Sequence, residues 1–266
     1  MSRTVGVVVP AYRPDTALLS SYVHALHDRL DPAAIRVELD APQSGVVDDL
    51  TDELEDLPDV AVASVPYRRG KGAAITAGFE ALDTDVRCFA DADGSTPAES
   101  IERVVQAVRD GADLSVGSRR HPDAVVESHQ TIARRFLGDG FAWLARRLLD
   151  AELYDYQCGA KALTADLWRR VRGHLYEPGF AWDIELVAVS AAVGADLQEV
   201  PVRWEDHPNS TVEPVRTSLR LARGLLVSRH RAKLLASDPL HQLLDARRET
   251  EPALIDRRQE RAGGGR

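Results

Sequence analysis

Asp91 and Asp93 lie one residue apart, directly after an apolar stretch at 86–90 that is typical of the end of a buried strand. A turn of small and polar residues follows at 94–97. Two carboxylates in this position can face one cation, and their hard oxygens suit Mg²⁺ or Mn²⁺. Ser95 is a candidate for a third oxygen ligand. The alternative for so short a motif is an Asx turn that binds no metal.

Lys71 stands between Gly70 and Gly72, where a predicted helix begins. Backbone N–H groups and the dipole at a helix N-terminus favour an anion, and the lysine adds a positive charge. The residue spacing of a P-loop is absent. Two interpretations therefore stand side by side: a phosphate-binding turn, or a solvated basic turn.

The elements that must position these residues alternate regularly along the first hundred residues. Apolar stretches predict strands at 5–9, 35–39, 60–65 and 86–90, and amphipathic patterns predict helices between them. Such alternation is typical of an α/β fold in which helices flank a mostly parallel central sheet. Ligands bind at the carboxyl edge of such sheets, and that edge carries Asp40, the lysine and the two aspartates.

The second half of the chain predicts a less regular set of elements. They are strands at 114–118 and 197–204, with Pro201 near a sheet edge, and helices at 132–149, 165–171 and 186–193. We expect a catalytic domain at 1–212, a basic amphipathic helix region at 213–240 and a polar tail at 241–266, which begins with a short helix near 240–246 and then has no fixed structure. The basic helix favours either contact with an anionic membrane surface or ordinary packing with one solvated face.

The composition is that of an ordinary soluble globular protein. The 266 residues are 44% hydrophobic and 28% charged, which suits one large α/β domain. No apolar run reaches the length of about 18 residues that a membrane span needs. Two cysteines, Cys88 and Cys158, cannot form a disulfide framework, so we expect a cytoplasmic protein. The net charge of −9 argues against binding to nucleic acid.

Several short motifs follow one another in a recognisable order. They are Val8-Val9-Pro10-Ala11-Tyr12, Gly70-Lys71-Gly72, Asp91-Ala92-Asp93-Gly94, Gly117-Ser118-Arg119, Asp155-Tyr156-Gln157-Cys158-Gly159, Trp182-Asp183-Ile184-Glu185 and Glu199-Val200-Pro201-Val202-Arg203-Trp204. This set resembles the family-2 inverting glycosyltransferases of the GT-A (Rossmann-like) fold over residues 4–212. It is most similar to the dolichyl-phosphate mannose and glucose synthases.

The resemblance implies transfer of a hexose from a UDP- or GDP-linked sugar to a polyprenyl phosphate, with Mg²⁺ or Mn²⁺ as cofactor. It implies that Asp91 and Asp93 hold the ion and that Asp183 and Arg119 belong to the catalytic centre. Arg119 and Arg134 would bind the acceptor phosphate, which arginine matches with paired donors. A lipid acceptor implies a peripheral place on the cytoplasmic face of the cell membrane. The other implied substrate contacts are Pro10, Ala11, Tyr12, Asp40, Lys71, Ala92, Gln157 and Trp182.

The chain also departs from the family pattern. Residues 39–42 read Leu-Asp-Ala-Pro where relatives have Val-Asp-Asp-Gly-Ser, although Asp40 keeps the position expected to contact the nucleoside. Thr211 replaces the lysine that relatives often carry near the end of the catalytic region. Many relatives have C-terminal transmembrane helices, and this sequence shows none. Trp182 is expected either to stack on a sugar or to pack in the core.

Three other functions are alternatives to hexose transfer onto a polyprenyl phosphate. A soluble hydroxyl acceptor would need a general base, for which Asp183 and Glu185 are the candidates. A sugar-phosphate nucleotidylyltransferase would need a Gly-rich signature after the first strand, and 10–14 lacks one. A non-catalytic membrane module would use the basic helix at 212–236 alone.

Overall fold

The computed structural model describes residues 3–127, 132–205, 214–245 and 252–257. Its strands are β1 (Val5–Tyr12), β2 (Ala34–Asp40), β3 (Val60–Val65), β4 (Val86–Ala90), β5 (Leu114–Ser118), β6 (Val125–Glu127), β7 (Ala160–Thr164), β8 (Leu197–Pro201) and β9 (Arg203–Glu205). Over the described ranges, seven of them form one sheet in the order β3-β2-β1-β4-β7-β5-β8, and β6 pairs with β9. Only β7 runs antiparallel to its neighbours in that sheet. The predicted mostly parallel α/β sheet is confirmed.

Helices cover both faces of this sheet. They are α1 (Thr16–Leu30), α2 (Val46–Glu53), α3 (Lys71–Glu80), α4 (Ala98–Arg109), α5 (Ile132–Leu148), α6 (Ala165–Val171), α7 (Trp182–Ala192), α8 (Pro214–Leu235) and α9 (Pro239–Asp245). Successive strand residues point to opposite faces, so Val7 joins the core beneath α1, α2 and α4 while Val8 joins the core beneath α3, α6 and α7. Both cores bury aliphatic side chains completely, which fixes the strand ends where the site lies.

The first strand is longer than the sequence predicts. We expected a loop to begin at Pro10, but β1 continues in parallel register with β2 until Tyr12 lies opposite Asp40. Pairing of β1 with β4 stops at Val8, so the missing N–H of Pro10 falls where the sheet needs no donor on that side. Pro10 and Ala11 are therefore buried strand residues, and Tyr12 is the one exposed at the strand end.

The central antiparallel strand β7 has no counterpart in the sequence prediction. It is short, it contains Lys161, and its alanines have little intrinsic preference for strands. Lys161 lies in register with Phe89 of β4 on one side and Val116 of β5 on the other. Pairing with both neighbours, rather than local preference, makes this segment a strand.

Helix α9 ends at Asp245 and agrees with the short helix that the sequence predicts near 240–246. Further along, where the sequence predicts a tail without fixed structure, Ala253 and Leu254 are buried. The N–H of Leu254 donates to the carbonyl of Leu175 at 2.9 Å. Residues 252–257 are thus attached to the body of the domain.

Several basic side chains of α8 have partners inside the protein. Arg231 pairs with Glu185 of α7, Lys233 pairs with Asp150 at 2.8 Å, and Arg229 donates to the carbonyl of Leu148. Leu225 is fully buried on the same helix. These contacts favour the packing interpretation for this end of the helix. Among the described helices, none is both long and apolar enough to cross a membrane.

Candidate active site

The loop after β4 is held in place from several directions. The N–H of Asp91 donates to the carbonyl of Gly159 at 3.0 Å, and the N–H of Ser95 donates to Asp93 Oδ1 at 3.0 Å. The Tyr22 hydroxyl donates to the carbonyl of Thr96 at 2.6 Å, and β9 contributes a further bond to the Ser95 carbonyl. The loop is therefore an Asx turn, and it also presents two carboxylates at the carboxyl edge of the sheet. Ser95 is buried beneath this turn, and Ala92 packs against the core.

A glycine at position 159 makes room for the first of these carboxylates. A Cβ atom there would lie 1.9 Å from Asp91 Oδ2, which no side chain tolerates. The Cys158-Gly159 pair of the sequence motif is thus explained by close packing of the Asp91 carboxylate against the backbone.

Acidic and basic side chains alternate along the inner wall of the site. Lys71 Nζ lies 2.8 Å from Asp91 Oδ1 and 3.1 Å from Asp183 Oδ2. Lys161 Nζ lies 2.7 Å from Asp183 Oδ1 and donates to the carbonyl of Cys158 at 2.7 Å. Sequence reasoning missed Lys161, although a lysine between alanines directly after the Gly159 motif is an unusual signal.

Burial and neighbouring opposite charges shift the pKa values of these side chains in opposite directions. Burial acts to raise the pKa of Asp183, but Lys161 and Lys71 outweigh it and hold that pKa below its ordinary value. Burial raises the pKa of Asp91, helped by Asp93 and Asp183 and opposed by Lys71. The pKa of Lys71 is raised, because the two carboxylates outweigh the effect of its burial. Asp183 is therefore a firmly ionised carboxylate and a weak base.

The loop carboxylates fit a divalent cation that is only partly coordinated by protein. Burial, with a smaller effect of Asp93 and Asp183, raises the pKa of Asp91, and a bound cation would stabilise the charge of that carboxylate. In the part of the chain that the structure describes, no three His, Cys, Asp or Glu side chains form a ready-made metal cluster. Two carboxylates are what a Mg²⁺ or Mn²⁺ site needs when substrate phosphates and water complete the coordination.

The N-terminus of α3 is covered and does not offer an open row of amides. The N–H of Ala73 donates to the carbonyl of Pro178 at 3.1 Å. Gly70 has φ 99°, and a Cβ atom there would lie 2.4 Å from the Pro178 carbonyl oxygen. A Cβ atom at Gly72 would lie 2.5 Å from Trp182. The glycines thus allow residues 177–182 to close over the helix, and Lys71 reaches the site through its side chain.

The predicted nucleoside side carries a buried acid and an exposed ring. Asp40 is buried and accepts from Arg69 Nε at 2.7 Å and from the N–H of Gly70 at 2.8 Å. Tyr12 is 39% exposed, and the guanidinium of Arg68 lies 4.2 Å from its ring centroid. The tyrosine face is the accessible surface here, while Asp40 orders the turn that leads into α3.

The predicted acceptor side is organised by a paired arginine. Arg119 binds Asp155 through two parallel contacts, Nε to Oδ2 at 2.7 Å and Nη2 to Oδ1 at 3.0 Å. The N–H of Gln157 donates to the same carboxylate at 3.0 Å, so Gln157 contributes its backbone. Glu199 of β8 accepts from the N–H groups of Tyr154 and Asp155 at 2.8 Å. The guanidinium is thereby fixed at the edge of the sheet.

Two of the predicted residues occupy structural positions. The Trp182 indole is fully buried and donates to Thr76 Oγ1 at 3.1 Å, so it packs in the core and presents no face for a sugar. Glu185 is also fully buried and accepts from the N–H groups of Tyr176 and Glu177 at 2.8 Å, in addition to its pair with Arg231. Its burial leaves it without access to an acceptor. The side chain of Arg134, in α5, lies outside the described residues.

Comparison with known proteins gives the arrangement a family. The model of "Glycosyl transferase family 2" matches residues 7–157. Glycosyltransferase AglD of Haloferax volcanii is 28% identical over 84% of this chain and 36% of its own length. A dolichyl-phosphate beta-glucosyltransferase of Mus musculus is 29% identical over 65% of this chain and 55% of its own. An undecaprenyl-phosphate mannosyltransferase of Micrococcus luteus is 29% identical over 75% of this chain and 83% of its own length.

A solved structure shares the fold. Glucosyl-3-phosphoglycerate synthase of Mycobacterium tuberculosis, in complex with Mn²⁺, UDP-glucose and phosphoglyceric acid, superposes with a TM-score of 0.65 at 17% identity. The match covers 85% of this chain and 80% of that one. The chain spans only about a third of the length of AglD and about half of the length of the mouse glucosyltransferase. Because the family model covers more than half of the sequence, the chain belongs to glycosyl transferase family 2, and its fold is the GT-A fold.

Proposed function

We propose that this glycosyltransferase moves a hexose from a UDP- or GDP-linked donor to the phosphate of a polyprenyl phosphate, with inversion at the anomeric carbon. The observation that carries the proposal is the state of Asp183. Both of its oxygens are bound by lysines, so the carboxylate at the start of α7 is not available to take a proton.

A hydroxyl acceptor must lose its proton as it attacks, which calls for a positioned base. A phosphate monoester is already anionic near neutral pH and attacks without one. Asp183 is committed to two lysines, Glu185 to Arg231 and two amides, and Asp155 to Arg119. The committed state of these three carboxylates supports an acceptor that arrives ionised.

The relatives point in the same direction. Two of those compared carry dolichyl phosphate or undecaprenyl phosphate in their names, and the second is matched over 83% of its own length. A polyprenyl phosphate lies in a membrane, so the enzyme would work at the cytoplasmic surface of one. Exposed Arg220 and Arg223 of α8 are compatible with such a surface.

Each group has a defined part in this proposal. Lys71 and the loop carboxylates Asp91 and Asp93 face the donor diphosphate, and Arg119, whose Nε and Nη2 bind Asp155, orients the acceptor phosphate through its remaining N–H groups. A phosphate oxygen forms the new bond to the anomeric carbon while the bond from that carbon to the nucleoside diphosphate breaks. A Mg²⁺ or Mn²⁺ ion held by Asp91 and Asp93 would stabilise the charge of the departing diphosphate. Tyr12 would lie against the nucleobase, and Asp40 would order the nucleoside pocket.

The test is a transfer assay with radiolabelled UDP-glucose, UDP-galactose and GDP-mannose, with Mn²⁺ and either dolichyl or undecaprenyl phosphate. After solvent extraction, label in the organic phase that depends on the lipid phosphate supports the proposal. Label that stays only in the aqueous phase would count against the lipid acceptor, and label that moves to a saccharide hydroxyl would favour the alternative of a soluble acceptor, for which the sequence offers Asp183 or Glu185 as base.

A further inference from the structure

We infer that Lys161 is a positioning residue of the donor site, which holds Asp183 and the Cys158 carbonyl so that Lys71 and Asp91 face the diphosphate. The inference rests on the proposed use of a nucleotide-sugar donor. Lys161 lies in the middle of β7, and its side chain is completely buried.

Apart from Asp183 and the Cys158 carbonyl, the groups around this lysine are apolar. Its strand neighbours Ala160, Ala162 and Leu163 are fully buried and apolar. Its ammonium lies 5.6 Å from the centroid of the Phe89 ring. Replacing a buried ion pair by apolar residues of similar size is often neutral or stabilising, so the fold alone gives no reason for this lysine.

The two lysines bind different oxygens of the Asp183 carboxylate. Lys161 binds Oδ1, and this leaves Oδ2 directed at Lys71. Lys71 in turn reaches Asp91. With Lys161 absent, the Asp183 carboxylate would be free to rotate onto Lys71 and draw it away from the loop after β4.

A second route leads from Lys161 to the same loop. Its ammonium holds the carbonyl of Cys158, and the next carbonyl, that of Gly159, accepts the N–H of Asp91. Lys161 therefore supports Asp91 through the backbone and Lys71 through Asp183. Both supported groups belong to the donor side, whereas Arg119 on the acceptor side has its own support from Asp155.

The charge of Lys161 also matters for binding an anion. The carboxylates Asp91 and Asp183 contact Lys71, and Lys161 supplies a second compensating cation beside Asp183. Its loss would make the site more negative and would weaken binding of a nucleoside diphosphate.

The experiment compares Lys161→Met and Lys161→Gln with the control Lys233→Met in the full chain. Lys233 also pairs with an aspartate, but that partner, Asp150, is exposed and does not belong to the candidate site. Calorimetry measures binding of UDP and GDP with Mn²⁺, and steady-state kinetics separates the donor KM from the acceptor KM and kcat. We expect both Lys161 variants to bind the nucleotide about 10- to 100-fold more weakly and to have a donor KM that is raised by a similar factor. This is the usual cost of removing a group that orients a binding residue. The acceptor KM and the control should stay unchanged.

Thermal unfolding of every variant identifies a purely structural role. A variant with a lowered Tm but unchanged nucleotide affinity and donor KM would overturn the inference. If Lys161→Met does not fold, Lys161→Gln, which keeps a hydrogen-bond donor without the charge, decides the question. Wild-type protein that binds neither nucleotide would overturn the inference together with the proposed donor. Protein that binds a nucleotide but does not glycosylate polyprenyl phosphate would overturn only the acceptor, and the affinity comparison would still decide the role of Lys161.

Discussion

The carboxylate of Asp91 occupies the space where a side chain at Gly159 would lie, with only 1.9 Å between Asp91 Oδ2 and a Cβ atom built at that glycine. We therefore expect Gly159→Ala to displace Asp91 and to lower kcat by about 100-fold, as a misplacement of about 1 Å in a reacting geometry does. Gly140→Ala in α5 is the matched control, because nothing lies within 4 Å of the added methyl group. Equal activity of the two variants would show that Asp91 need not hold its position.

Asp93 is exposed at the tip of the same loop, so its loss should leave the fold intact. We expect Asp93→Ala to abolish transfer at saturating Mn²⁺ while the free energy of unfolding falls by only about 1 kcal/mol, the usual worth of the hydrogen bond from the Ser95 N–H that the variant loses. Asp52→Ala, at an exposed position of α2, controls for loss of a surface charge. Full activity of Asp93→Ala would remove the divalent ion from the scheme.

Arg119 offers a planar fork that lysine cannot reproduce. We expect Arg119→Lys to raise the KM for the lipid phosphate by about tenfold or more, since a hydrogen bond to a charged group is worth about 1.5–3 kcal/mol. The donor KM should stay unchanged. Arg169→Lys, in an exposed pair with Asp166, is the control. A rise in the donor KM instead would place Arg119 on the donor side.

The ion pair of Asp155 with Arg119 leads to a prediction about stability at low pH. Burial acts to raise the pKa of Asp155, but Arg119 outweighs it, with help from the N–H of Gln157, and holds that pKa well below its ordinary value. A lowered pKa gives stability that is present above the unfolded value of about 3.9 and is lost as the pH falls toward the folded value. We expect Asp155→Asn to be about 3 kcal/mol less stable near neutral pH, the lower end for a broken buried pair because Arg119 is partly exposed.

Urea unfolding across the pH range measures this difference directly. The gap between wild type and Asp155→Asn should stay constant down to about pH 5 and shrink only below it. A gap that closes near neutral pH would mean that another group, with a higher pKa, controls the stability of this pair.

Sequence patterns predicted the parallel part of the sheet because its strands are short segments rich in apolar residues, and those of the first hundred residues recur at a regular spacing. They failed at β7, where Lys161 interrupts the pattern and pairing with both neighbours decides the conformation. The same patterns placed Pro10 in a loop, whereas it lies in β1. A sequence does not show that the pairing of β1 with β4 ends at Val8, before the proline.

The candidate site shows the same division. The order of strands and motifs placed Asp91 and Lys71 at the carboxyl edge of the sheet, and the family resemblance added Arg119 to the same site. Neither revealed that Lys71 bridges Asp91 and Asp183, or that Glu185 is a buried clamp for residues 176 and 177. These roles depend on contacts between residues far apart in the chain, so residue type alone cannot assign them.

The position of β7 in the middle of the sheet has a consequence for synthesis of the chain. β4 and β5 do not pair with each other, and each needs β7, which emerges later than both. During translation β4 and β5 must therefore wait, with β4 offering an open edge, until residue 164 has left the ribosome. A chain ending at residue 157, where the family match stops, would keep that edge exposed, and we expect it to aggregate rather than fold as an independent unit.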